Sequence, residues 1–109
     1  MDGPNSSSEE DLTAVSDADL ILAVRAKLPQ EQIINNVTKY LNDGAHINYQ
    51  NSKGNTILHI AIEKGYLEVV KFLLTLRARA DIPNKSGQTA ADLGKSSSNK
   101  SIQDLFNKI

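Results

Sequence analysis

Two histidines, His46 and His59, are the side chains of this sequence best suited to proton transfer or metal ligation. A zinc site needs three or four ligands at defined spacing, and no third ligand stands at such a spacing from this pair. The chain contains no cysteine, which excludes disulfides and thiolate metal sites. His59 lies one turn inside a helix-start signal and reads as structural. His46 reads as a solvated loop residue. Glu9, Glu10 and Asp11 could supply paired carboxylates for acid–base chemistry, but they follow a serine run and read as a solvated tail. The serines gather in connecting segments, and no nucleophile elbow, glycine-rich phosphate loop or metalloprotease motif is present. Ser7 and Ser8, upstream of acidic residues, suit an acid-directed kinase; a plain leader explains them equally. Lys53, Lys64, Lys71 and Lys85 suggest a basic stripe, but Glu63, Glu68 and Asp81 interleave with them, and an ordinary mixed surface is expected. The chemistry-bearing residues therefore predict no enzyme, no cofactor and no metal.

The elements that would position these side chains are helical. The chain has 109 residues, a net charge of −1, 5% aromatic residues and no Trp, so one domain with a thin aliphatic core is expected. The charge balance gives no nucleic-acid footprint. No apolar run reaches the ~18–20 residues of a membrane span, and the N-terminus lacks a signal-peptide pattern. Residues 1–15 read as a disordered acidic, Ser-rich tail. Ser16 with Asp19 resembles a capping box, followed by Leu20, Ala23, Val24 and Leu28 at helical spacing. Pro29 ends that helix or opens the next. Ile33, Ile34, Val37, Tyr40 and Leu41 form a second stripe that Gly44 stops. Thr56 caps a third helix from Ile57 to about Glu63, and Gly65 makes the turn into a fourth, Leu67 to Thr75. Thr89 caps a fifth, Ala90 to about Lys95, and Lys100 to Asn107 is a sixth.

The chain repeats itself. Asn51 and Asn84, Gly54 and Gly87, Thr56 and Thr89, and Ala45 and Ala78 are each separated by the same interval, about 33 residues. Four coincidences in phase around one capping chemistry point to stacked copies of a single helix-pair unit.

The stretch Thr56-Ile57-Leu58-His59, with Ala61, Gly65, Val69-Val70 and Leu73-Leu74, resembles the ankyrin repeat. The resemblance is strongest from Asn51 to Pro83. It departs at Ile57, where the family usually has Pro, at Arg77, where it usually has a left-handed Gly, and at Arg79-Ala80-Asp81. It implies an all-α solenoid of helix-turn-helix pairs joined by extended loops, over residues 16–109. Within it, 16–50 would be a degenerate first repeat with about five extra residues between its helices, 51–83 a full repeat, and 84–109 a capping repeat. Thr89-Ala90-Ala91-Asp92-Leu93 resembles a terminal repeat with Asp92 in place of the histidine, and Ile102, Leu105, Phe106 and Ile109 would pack inward. Thr56, His59, Gly65, Thr89 and Asp92 would be structural, with His59 tying neighbouring repeats together.

The resemblance further implies a non-catalytic module that binds another protein through loop tips and first helices. Carried over by position, the partner-binding residues would be Tyr49, Gln50, Ser52, Lys53, Asn55, Glu63, Lys64, Lys85, Ser86 and Gln88, with Tyr49 the anchor. Pro83 occupies an equivalent place. The alternatives are a self-associating structural module and, further off, an enzyme or small-ligand domain. A monomer is expected, with no nucleic acid or membrane as partner. The expected setting is the cytoplasm or another reducing intracellular compartment, with a secreted effector as the alternative.

Overall fold

The computed structural model describes residues 17–108. The expected tail, the Ser16 cap and Ile109 lie outside them. Among the described residues there are six α-helices and no strand: α1 (Asp17–Arg25), α2 (Gln30–Asn42), α3 (Ile57–Lys64), α4 (Leu67–Thr75), α5 (Ala90–Lys95) and α6 (Lys100–Asn107). The expected all-α helical repeat is what forms.

Each helix starts and stops for a local reason. Pro29 precedes α2 with φ −56° and ψ 146°, an extended geometry that cannot continue α1 and suits a helix start. Leu28, expected on the first apolar stripe, falls in this connection and is 37% exposed. The connection comprises only residues 26–29, against 65–66 in the second pair and 96–99 in the third. The expected five-residue insertion is therefore two residues relative to the second pair. Thr56 opens α3 with a reciprocal box: its hydroxyl accepts from the His59 N–H, and its own N–H donates to the His59 ring. Asn99 opens α6 by accepting from Ser101 N at 3.0 Å and Ile102 N at 3.2 Å.

The stops also follow the repeat. Gly44 (φ 109°) follows α2, and Arg77 (φ 68°), 33 positions on, follows α4. Arg77 thus adopts the left-handed conformation that the family usually gives to glycine, at a cost of about 1 kcal/mol.

Packing forms two rows. The first helices α1, α3 and α5 lie side by side, the second helices α2, α4 and α6 form the other row, and each pair closes on itself. The core lies between and within the rows. Every residue from Ile57 to Ile62 of α3 is buried, because α1, α5 and α4 cover it on three sides; a helix apolar all round is stable only in such a place. In α4, Val69, Val70 and Leu73 are buried. In α2, Ile33 and Val37 are buried. Burying each such side chain contributes about 1.5–3 kcal/mol. Ile102 and Phe106 of α6 are buried and Leu105 is half-buried. Gly94, 33 positions after Ala61, is where α5 and α6 come closest: the Phe106 ring fills the space that a Cβ at Gly94 would occupy.

Candidate functional site

The loops between helix pairs are built from one side-chain device used twice. The Asn51 carboxamide oxygen accepts from Lys53 N at 2.9 Å and Asn55 N at 3.0 Å. The Asn84 oxygen accepts from Ser86 N at 2.9 Å and Gln88 N at 3.0 Å. An Asn side chain that satisfies the amides two and four residues on folds the chain into a tight finger. The finger tips are Ser52-Lys53 and Lys85-Ser86, all exposed.

The two fingers are joined. Lys85 N donates to the Lys53 carbonyl at 3.1 Å. Gln50 Nε2 donates to the carbonyls of Gly54 at 2.8 Å and Pro83 at 3.0 Å. Asn84 Nδ2 donates to Asn55 Oδ1 at 2.9 Å. Gly54 (φ 78°) allows this approach, since a Cβ there would lie 2.7 Å from Lys85 N; no residue with a side chain fits.

His59 locks the fingers to the helices. It is fully buried. Nδ1 accepts the Thr56 N–H at 3.0 Å, which leaves the ring proton on Nε2, and Nε2 donates to the Gln88 carbonyl at 3.0 Å. One imidazole thus caps its own helix and reaches the next finger. Asp92 closes the same box on Thr89, with Thr89 N donating to Oδ2 and Asp92 N to Thr89 Oγ1, each at 3.1 Å. The hydrogen bond from Thr89 N holds the Asp92 carboxyl below the usual carboxylate range. Gly65 (φ 74°) ends α3 in the left-handed conformation.

The structure divides the ten residues expected at a partner surface. Ser52, Lys53, Lys85 and Ser86 stand out at the tips, and Glu63 and Lys64 are exposed at the end of α3. Gln88 is exposed, while its carbonyl serves His59. Gln50 is exposed, but its amide is spent on bridging the fingers. Tyr49, the expected anchor, is half-buried against the core. Asn55 corrects the expectation: it is 8% exposed and accepts from Asn84, so it faces the neighbouring finger rather than solvent.

His46 is held in place by Asp17 and is the solvated loop residue expected, its side chain 80% exposed. Its backbone N–H donates to Asp17 Oδ1 at 2.6 Å, and its Nδ1 lies 3.2 Å from the same oxygen. Arg79, 33 positions on, has its N–H on Asn48 Oδ1 at 2.9 Å, so a side-chain oxygen holds the equivalent amide in both loops.

Two of the three acidic residues that interleave with the lysines in sequence, Glu68 and Asp81, are engaged elsewhere. Glu68 lies 3.9 Å from Lys71 on α4, and Asp81 chelates Arg79 at 3.0 Å. That pairing holds the Asp81 carboxyl low and the Arg79 guanidinium high. Lys53, Lys64 and Lys85 make no ion pair among the described residues.

Two shallow grooves border this region. One, of about 340 Å³, runs between α1 and the first finger and is lined by Ile21, Leu22, Arg25, Asn51, Ser52 and Lys53. The other, of about 360 Å³, lies on the second-helix side between Leu41, Ala45, Ile47, Phe72 and Leu76. Neither brings an acid and a base together. No group of three metal-binding side chains forms among the described residues, and no helix there is long and apolar enough to cross a membrane. Sequence reasoning missed Leu22, Arg25 and Lys95. A signal for the two cations was present, because Arg25, Lys64 and Lys95 each fall in the last turn of a first helix.

Stacked helix pairs with hydrogen-bonded fingers define a helical repeat protein, and comparison with known proteins gives the family. A family model described as ankyrin repeats (many copies) matches residues 40–93. Ankyrin repeat domain-containing protein 37 of Homo sapiens is 43% identical over 53 residues, covering 49% of this chain and 34% of that protein. The Bos taurus protein of the same name is 42% identical over the same length. An ankyrin repeat-containing protein of Caenorhabditis elegans is 32% identical over 83 residues, covering 67% of this chain and 7% of that protein. The chain belongs to the ankyrin-repeat family, whose repeats are generally protein-interaction modules. It spans about a third of the length of the mammalian relatives and far less of the nematode one.

Proposed function

We propose that this chain is a non-catalytic module that binds a partner protein through its finger tips and the exposed ends of its first helices, and that it does so as a monomer. In this reading residues 51–83 are the full repeat, 16–50 a degenerate first repeat and 84–109 a capping repeat, so the surface is short and the affinity modest. The observation that carries the proposal is the backbone bond from Lys85 to Lys53. It sets two tips side by side, with their side chains free of the bonds that build the fingers. Such a surface is pre-ordered, and binding to it loses little conformational entropy.

The test is steric and independent of charge. Ser52→Tyr with Ser86→Tyr should abolish capture of the native partner while leaving the melting temperature within about 4 °C, because exposed substitutions away from the core change stability by only about 0.5 kcal/mol. Capture undiminished by both substitutions overturns the proposed face. Self-association is the second reading, favoured by Leu22, which is 60% exposed on α1. Light scattering that shows a dimer, restored to a monomer by Leu22→Gln, would establish it in place of the first.

A further inference from the structure

We infer that the partner surface recognises an extended acidic segment of another protein, with carboxylates at about every third residue and an aliphatic side chain at the α1 end. This rests on the proposed function and gives it a ligand chemistry. The last turns of α1, α3 and α5 carry Arg25, Lys64 and Lys95, and the finger tips carry Lys53, which lines one groove with Arg25, and Lys85. All five are exposed, and none has an ion-pair partner among the described residues. Two exposed carboxylates stand beside these cations, Glu63 at the end of α3 and Asp92 on α5, the latter turned back onto the Thr89 N–H; Asp19 lies in the first turn of α1, away from its last turn. A chain of net charge −1 thus presents five cations against these two carboxylates, one of which is engaged in a helix cap.

The segregation has a physical origin. α1, α3 and α5 run in the same direction. The start of α3 bonds to the finger before α5 through His59 and Gln88, and the turn after α5 meets the turn after α3, where Asn99 Nδ2 lies 3.4 Å from the Gly65 carbonyl. The negative ends of these helices are therefore aligned, and a cation in each last turn is favoured by the helix dipole. The carboxylates paired with Lys or Arg, Glu68, Asp81 and Asp104, lie on α4, at the loop base and on α6 respectively.

Geometry sets the spacing of the ligand. Packed helices stand about 8–10 Å apart, and an extended polyproline II chain advances about 3.1 Å per residue with about three residues per turn, so successive cations meet every third side chain on one face. The groove between α1 and the first finger adds an apolar contact: Arg25 and Lys53 flank Ile21 and the 60%-exposed Leu22. An aliphatic side chain fills that notch. Nucleic acid has none, and its continuous phosphates would meet Glu63 in mid-row.

A fluorescein-labelled peptide with one leucine and glutamates at every third position, made with the leucine at either end, tests this by anisotropy on the full chain. One orientation should bind, at least about tenfold more tightly than its glutamine counterpart, and should weaken as salt rises. Arg25→Glu with Lys53→Glu should remove the binding, with circular dichroism unchanged. Equal binding of the glutamine peptide, indifference to the charge reversal, or tighter binding of a single-stranded oligonucleotide of equal charge each overturns the inference. So does a shift of the Arg25 and Lys53 amide resonances on Glu9→Gln, Glu10→Gln and Asp11→Asn substitution without peptide, which would assign the face to this chain's own acidic leader. A native partner lost to the tyrosine blocks but indifferent to charge reversal leaves the interaction module standing and overturns only its acidic chemistry.

Discussion

His59 shows how one side chain serves two levels of structure. Its Nδ1 completes the cap of α3 and its Nε2 holds the next finger, so removing the ring strands two buried polar groups and opens a cavity. His59→Ala should cost about 2–4 kcal/mol in urea unfolding, whereas Ser52→Ala on the finger tip should change stability by no more than about 0.5 kcal/mol. A loss under 1 kcal/mol for His59→Ala would show that the Gln88 contact carries no weight. Asp92 closes the same box with no reach beyond it. Its carboxyl is held low by Thr89 N, so its contribution is present above the unfolded-state value near 4 and is lost as pH falls through the lower folded value. Asp92→Asn should therefore flatten the acid limb of stability against pH below about pH 4 and leave its slope at neutral pH unchanged. An unaltered acid limb would place that proton uptake on other groups.

At the scale of the element, caps and stops were legible before any fold was known. Thr56, Thr89 and Gly65 are local signals, because a hydroxyl or a missing Cβ acts within one turn. Arg77 was legible as the position where the family usually has a left-handed glycine, and its φ of 68° follows. Relieving that strain with Arg77→Gly should stabilise the chain by about 0.5–1 kcal/mol, less the extra entropy glycine gives the unfolded state; a destabilised variant would mean that the Arg77 side chain contributes more than its backbone costs. The first helix pair was less legible. Pro29 is compatible with either end of a helix, and the placement of Leu28 outside α1 depends on where α2 begins. Tyr49 and Asn55 were also unreadable as to exposure, since a loop side chain is buried only if the neighbouring finger comes to meet it.

Across the whole molecule, stability is distributed along a line. α3 is covered by α1 and α5, and α4 by α2 and α6, while among the described residues the outer pairs have a neighbouring pair on one side only. In such arrays each unit is stabilised by its nearest neighbours. Amides of α3 and α4 should therefore exchange with deuterium most slowly, and those of α1 and α6 faster. Uniform protection along the chain would instead indicate one all-or-none unit. The same linear arrangement makes the face continuous: aligned helix ends and bonded fingers turn separate lysines into a row.

The sequence by itself determined the period, the helix starts and stops, and the family, because these rest on contacts within a few residues and on one interval repeated in phase. Only the tertiary structure decided which charges share a face. Glu68, Asp81 and the lysines alternate along the chain, yet stacking puts the paired Glu68 on a second helix and Asp81 at the loop base, while Arg25, Lys64 and Lys95 stand at the ends of the first helices and Lys53 and Lys85 on bonded finger tips. Neighbours across a solenoid are one repeat apart in sequence, and no local pattern reports on them.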